Sequence, residues 1–193
     1  MAVLVTGTGR TGTWWLTEAL KRAGATAEHE IHYSLTKHGP IPDNTVEVSW
    51  LAAPHTPVDV HTIHLVRHPL ATIASRAAWG SFGGPRPRPD YNPRPKGDYA
   101  VAWCPRIAEG ETPVERAAIH WVEWNRLVHA DEVLRLEDVT ADTIRGIAGM
   151  VTESKPCRLP PPINQSPNPP ELSWADVEHV GGLVELAGRF GYR

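Results

Sequence analysis

Glycines punctuate the run Gly7-Thr8-Gly9-Arg10-Thr11-Gly12-Thr13, and that spacing fits a loop that grips a phosphate or sulfate. Glycine admits backbone conformations closed to other residues and lets the main chain approach a ligand. The first amides of a following helix have no partner of their own and point toward an anion. A Walker A loop with glycines at Gly7 and Gly12 would continue with a lysine and then a serine or threonine. Here Thr13 and Trp14 follow, so neither the phosphate lysine nor the magnesium hydroxyl is in place. The cation of this loop is Arg10, whose planar fork suits a tetrahedral oxyanion. A second set of anion-binding types lies in Arg67-His68-Pro69, with Ser75 eight residues beyond the arginine. An arginine and a hydroxyl at that offset, added to the first loop, call for a ligand with two separated phosphates.

The elements that must position these residues follow from periodicity and breakers. Residues 2–6 and 61–66 read as buried central strands, 25–28 as a short strand and 132–136 as a fourth. Residues 14–23, 70–79, 113–130 and 174–189 read as helices. Arg67 then stands at the carboxyl end of a strand, the side on which open α/β sheets bind ligands. Trp121 and Trp124 fall on the apolar side of their helix and read as core.

Position by position, Arg10-Thr11-Gly12-Thr13-Trp14-Trp15 resembles the 5′-phosphosulfate loop of sulfotransferases that use 3′-phosphoadenosine 5′-phosphosulfate (PAPS), Lys/Arg-Ser/Thr-Gly-Thr-x-Trp after a strand. Arg67, Pro69 and Ser75 match that family's 3′-phosphate motif. Further likeness lies in His120-Trp121-Val122-Glu123-Trp124-Asn125 and Leu134-Arg135-Leu136-Glu137-Asp138, and in the pairs His29-Glu30 and Ser49-Trp50. The resemblance spans residues 2 to 139. It implies a three-layer, P-loop-like α/β fold with a central parallel sheet of four or five strands flanked by helices. It also implies metal-independent, in-line transfer of a sulfuryl group from PAPS to a hydroxyl or amine, leaving adenosine 3′,5′-bisphosphate. Gly9, Arg10, Thr11, Gly12, Thr13, Trp14 and Trp15 would hold the donor, with Arg67 and Ser75 on its 3′-phosphate. Trp15 matches the aromatic that stacks on adenine, and Trp14 is its equally large neighbour. Arg10 would stabilise charge growing on the transferred group. Because an arginine does not serve as an acid, its help to the leaving group would be electrostatic. Glu30, then His29, then His32 are the candidate general bases. The Arg-Lys-Gly pattern with which animal members close the nucleotide site is absent.

The same cradle admits two other readings. Glu137-Asp138 at a strand end would suit a P-loop small-molecule kinase using ATP and magnesium, although a brace for a nearby arginine is the simpler role. A nucleotide-binding protein without a base would be non-catalytic.

At 193 residues the chain suits a single α/β domain with a real core. Its net charge of −3 argues against a nucleic-acid platform, and no apolar run reaches the ~20 residues of a membrane helix. A cytoplasmic protein with free thiols at Cys104 and Cys157 is expected. Two breaker-rich stretches stand apart. Residues 80–113, with Gly-Gly-Pro and alternating Arg-Pro pairs, are expected to exclude regular helix and to form a lid over a small-molecule or carbohydrate-like acceptor. Its basic residues Arg86, Arg88, Arg94 and Lys96 would favour an anionic ligand, and Tyr91, Tyr99 and Trp103 would offer faces to a sugar. Residues 155–170 are a proline-rich connector.

Overall fold

The computed structural model describes residues 1–83, 92–163, 165, 166 and 168–193. In chain order the elements are β1 (Val3–Gly7), α1 (Thr13–Arg22), β2 (Thr26–His29), β3 (Thr45–Val48), β4 (His61–Val66) and α2 (Pro69–Ala78). They continue with α3 (Arg94–Trp103), α4 (Pro113–Leu127), β5 (Glu132–Arg135), α5 (Ala141–Gly149) and α6 (Leu183–Arg189). The class is α/β, and among the described residues no helix is long and apolar enough to cross a membrane. The chain divides into two compact units, Met1–Val66 with Val128–Asn164 and Arg67–Leu127 with Gln165–Arg193.

The first unit holds a five-stranded parallel sheet in the order β2-β3-β1-β4-β5. Parallel strands are covered on both faces, so β1 is buried along its length rather than alternating. Val3 and Val5 enter a cluster with Leu16, Ala19, Leu20 and Ala23 of the α1 region and Ile144, Ile147, Ala148 and Val151 of the α5 region. Both sets recur at i, i+3, i+4 and i+7, the stripe an amphipathic helix presents to a sheet. Leu4, pointing the opposite way, packs with Tyr33, Ile41 and Ala52. Thr140 and Thr143 cap α5 reciprocally through side chain and backbone at 3.2 Å each way.

The sequence reading names four of the five strands. It passes over β3, a four-residue strand carrying Glu47 at a fully buried position, because a carboxylate between two valines in so short a segment masks the strand signal. β3 sits between β2 and β1.

The second unit is helical. α2 packs on α4, and α4 on α6. Trp121 and Trp124 are fully buried there, as their helical face predicts. Trp121 meets the Phe190 ring edge-on at 6.0 Å. His120, also buried, lies between Phe82 and Trp124, with ring centroids 5.2 and 5.1 Å away. Burial first, and the Arg76 guanidinium second, hold its imidazole well below the ordinary value of 6.5.

Two expectations are corrected in this unit. The 80–113 stretch is not free of helix, because α3 and a 3-10 turn at Pro105–Glu109 occupy its second half. Pro93 caps α3 and Pro95 lies in its first turn, where a missing N–H removes no intrahelical bond. Gly97 is required in α3 by close approach, since a Cβ there would lie 1.9 Å from the Ser81 carbonyl oxygen. Arg86, Arg88 and Tyr91 of the expected lid lie outside the described residues. The helix expected over 174–189 is instead a 3-10 turn at Trp174–Asp176 and, after the break at Gly181-Gly182, the short α6.

Candidate functional site

In the first unit, strand order changes direction between β1 and β4. β1 leads on to β2 and β3 on one side, while β4 leads on to β5 on the other. The carboxyl ends of two such strands open the crevice in which α/β sheets place ligands. The 8–12 loop leaves β1 at that end. Arg10 has a φ of 78°, a left-handed conformation that a non-glycine residue adopts at a cost, and such outliers gather at functional sites. Gly12 has a φ of 95°, and a Cβ on it would come within 2.9 Å of the Leu136 side chain. Thr11 is buried and donates its hydroxyl to the Thr8 carbonyl oxygen at 2.7 Å. The Thr8 hydroxyl is buried without a hydrogen-bond partner. No side chain caps α1, so its first amides stay directed out of the helix.

Against the start of that helix lie the candidate bases. His29 Nε2 is 3.1 Å from the Thr13 hydroxyl, and its ring meets Trp14 edge-on at 5.1 Å. Glu30, another left-handed residue with a φ of 56°, places Oε1 3.8 Å from His29 Nε2. The side chains of His29 and Glu30 are only 17% and 12% exposed. Folding therefore brings Thr13, Trp14, His29 and Glu30 together. His32 is drawn elsewhere, its Nε2 lying 2.6 Å from Glu28 Oε2. The two neighbouring tryptophans also part company. Trp14 is 49% exposed, whereas Trp15 packs on the core and donates its indole N–H to the Pro160 carbonyl oxygen at 2.9 Å.

Glu47 is a site-shaping residue that sequence reasoning missed. Its Oε1 accepts backbone N–H bonds from Ile31, His32 and Tyr33 at 3.0, 3.3 and 3.3 Å, which sets the turn that follows the His29-Glu30 pair. Burial pushes its carboxyl up to about 6 against the pull of those amides. A lone acid flanked by Val46 and Val48 was the available signal. Ser49 is structural, donating to the Tyr33 carbonyl oxygen at 2.7 Å, and Trp50 is buried. Asp138 braces Arg135 at 2.6 Å, which holds its carboxyl below the ordinary range.

In the second unit, Arg67 is the first residue beyond β4 and is partly exposed. Ser75 is buried in α2, where its Oγ lies 2.7 Å from Ser166 Oγ. The Ser166 hydroxyl also lies 2.9 Å from the Ser75 carbonyl oxygen, to which it donates. Ser166 belongs to the proline-rich connector, and nothing in the sequence marked it. It ties that segment to the expected 3′-phosphate serine.

No family model, curated protein or solved structure matches the chain. An uncapped helix behind a glycine loop with a guanidinium can hold an oxyanion, and an imidazole beside a carboxylate can accept a proton.

Proposed function

We propose that the protein is a PAPS-dependent sulfotransferase, which moves a sulfuryl group to a hydroxyl or amine of a small-molecule or carbohydrate-like acceptor. The observation that carries the reading is the 3.1 Å contact between Thr13 and His29, which ties a shielded imidazole–carboxylate pair to the first turn of the anion-binding helix. Arg10 and the amides of residues 9–13 would hold the 5′-phosphosulfate and stabilise charge as the sulfur–oxygen bond breaks. Glu30 or His29 would take the acceptor proton. Arg67 and Ser75 are assigned to the 3′-phosphate on their sequence spacing, with Ser166 beside Ser75. Trp15, held by its N–H on the Pro160 carbonyl oxygen, and exposed Trp14 are the two rings that could stack on the adenine. In this reading the protein works in the cytoplasm and its transfer step uses no metal.

Titration with adenosine 3′,5′-bisphosphate in EDTA, beside ADP and ATP with and without magnesium, tests this. Micromolar bisphosphate binding, with at least a tenfold preference over ADP that Arg67→Ala abolishes, is expected. Tighter binding of ATP with magnesium would replace the reading with the kinase. Selective bisphosphate binding with no transfer to any acceptor would leave a non-catalytic nucleotide-binding protein.

A further inference from the structure

Glu28 of β2 and Glu47 of β3 are register partners in the parallel ladder, so two carboxylates face each other on the same side of the sheet. Like charges directly opposite destabilise a strand pair unless something of opposite sign lies with them. Glu47 is wholly buried. Its Oε1 is occupied by three backbone amides, but its Oε2 is buried with no hydrogen-bond partner. A buried charged oxygen left in that state calls for a cation. The third member is His32, whose Nε2 reaches Glu28 Oε2 at 2.6 Å. One donor atom from each of Glu28, His32 and Glu47 lies within 4.8 Å of the other two, which makes this the one such grouping among the described residues.

We propose that Glu28, His32 and Glu47 form a binding site for a first-row divalent cation of the Zn²⁺ type. With the imidazole neutral, the three groups carry a formal charge of −2, which one divalent ion balances. An imidazole with two carboxylates is a donor set that suits zinc and its neighbours, whereas magnesium and calcium prefer oxygen alone. Three protein donors leave room for a solvent ligand, and Glu28, with a side chain 35% exposed, marks the open side. The site joins the end of β2, the following turn and β3. It therefore brackets His29 and Glu30, which lie between Glu28 and His32 in the chain, and fixes the strand end from which they project. The ion stands apart from sulfuryl transfer, and the assignment holds whether or not the protein is a sulfotransferase.

Tag-free protein, stripped with chelator and then freed of it, is titrated with Zn²⁺ by calorimetry and with Co²⁺ by visible absorption. One equivalent of each is expected to bind at micromolar strength or better. Millimolar Mg²⁺ should not compete, and the melting temperature should rise with Zn²⁺. Glu28→Gln and His32→Gln should each weaken binding at least tenfold, while His179→Gln, an exposed histidine of the other unit, should leave it unchanged. Glu47→Gln risks the fold because Glu47 holds three amides, so the Glu28 and His32 variants decide. Absence of stoichiometric binding, or unchanged affinity in both variants, would overturn the site and leave His32–Glu28 as a simple ion pair. The bisphosphate titration, run in EDTA, is unaffected by either result.

Discussion

In the proposed transfer, Glu30 and His29 are the two candidates for the general base. Their polar atoms lie 3.8 Å apart, and His29 already has the Thr13 hydroxyl at 3.1 Å. That contact ties the imidazole to the first turn of α1, and the carboxylate beside it is the proposed acceptor of the proton. Glu30→Gln preserves size while removing the proposed base, so on the proposed function it should lower the transfer rate by roughly 10²–10⁴-fold with bisphosphate affinity unchanged. A normal rate across pH in steady-state assays would pass the role to His29. His32 is the weaker third candidate, because Glu28 and the turn built on Glu47 hold it.

The decisive element is the turn from β1 into α1. Gly12 must take a left-handed conformation, and Leu136 from the turn after β5 closes over it. Gly12→Ala should therefore destabilise the protein by about 1–3 kcal/mol and weaken anion binding. Gly146, inside α5, has open space where a Cβ would stand, and Gly146→Ala should stabilise by about 0.5–1 kcal/mol. Urea unfolding of the two variants side by side checks both signs. Opposite results from the same chemical change would show that backbone conformation sets the outcome. Prolines carry the same lesson. In residues 80–113 they read as breakers, yet Pro93 and Pro95 stand where a helix start tolerates them, and α3 follows.

At the scale of the whole molecule, buried His120 contributes a loss of stability in acid, with buried Glu47 acting in the opposite sense. The folded pKa of His120 is depressed below 6.5, first by burial and then by Arg76, so the fold favours the neutral ring. That contribution is complete above the unfolded value and is lost as pH falls below about 6.5 toward the folded value. Glu47, with its carboxyl raised to about 6, acts in the opposite sense as it protonates, so the His120 contribution is read as the difference between the parent protein and His120→Gln in thermal unfolding from pH 8 to pH 5. The midpoint of His120→Gln should lose less on acidification than the parent's, even if it is lower throughout. An unchanged slope would move the acid sensitivity to other groups.

The order of local chemistry was legible in the sequence. The apolar run Val3-Leu4-Val5 announced β1, since a parallel strand covered on both faces needs no alternation, the Ile63 and Leu65-Val66 core announced β4 despite its two histidines, and the glycine spacing announced the turn into α1. The helical face of Trp121 and Trp124 announced their burial. β3 stayed hidden because one buried acid breaks a four-residue pattern, and α3 because proline was read without its position. Tertiary structure alone decided which distant residues meet. Thr13 reaches His29 across 16 positions and Ser75 reaches Ser166 across 91. Glu28 faces Glu47 only because β2 pairs with β3 in that register. Local propensity depends on neighbours along the chain, so one sequence window states it. Strand order and register arise from burying the whole sheet at once, and no window contains that sum.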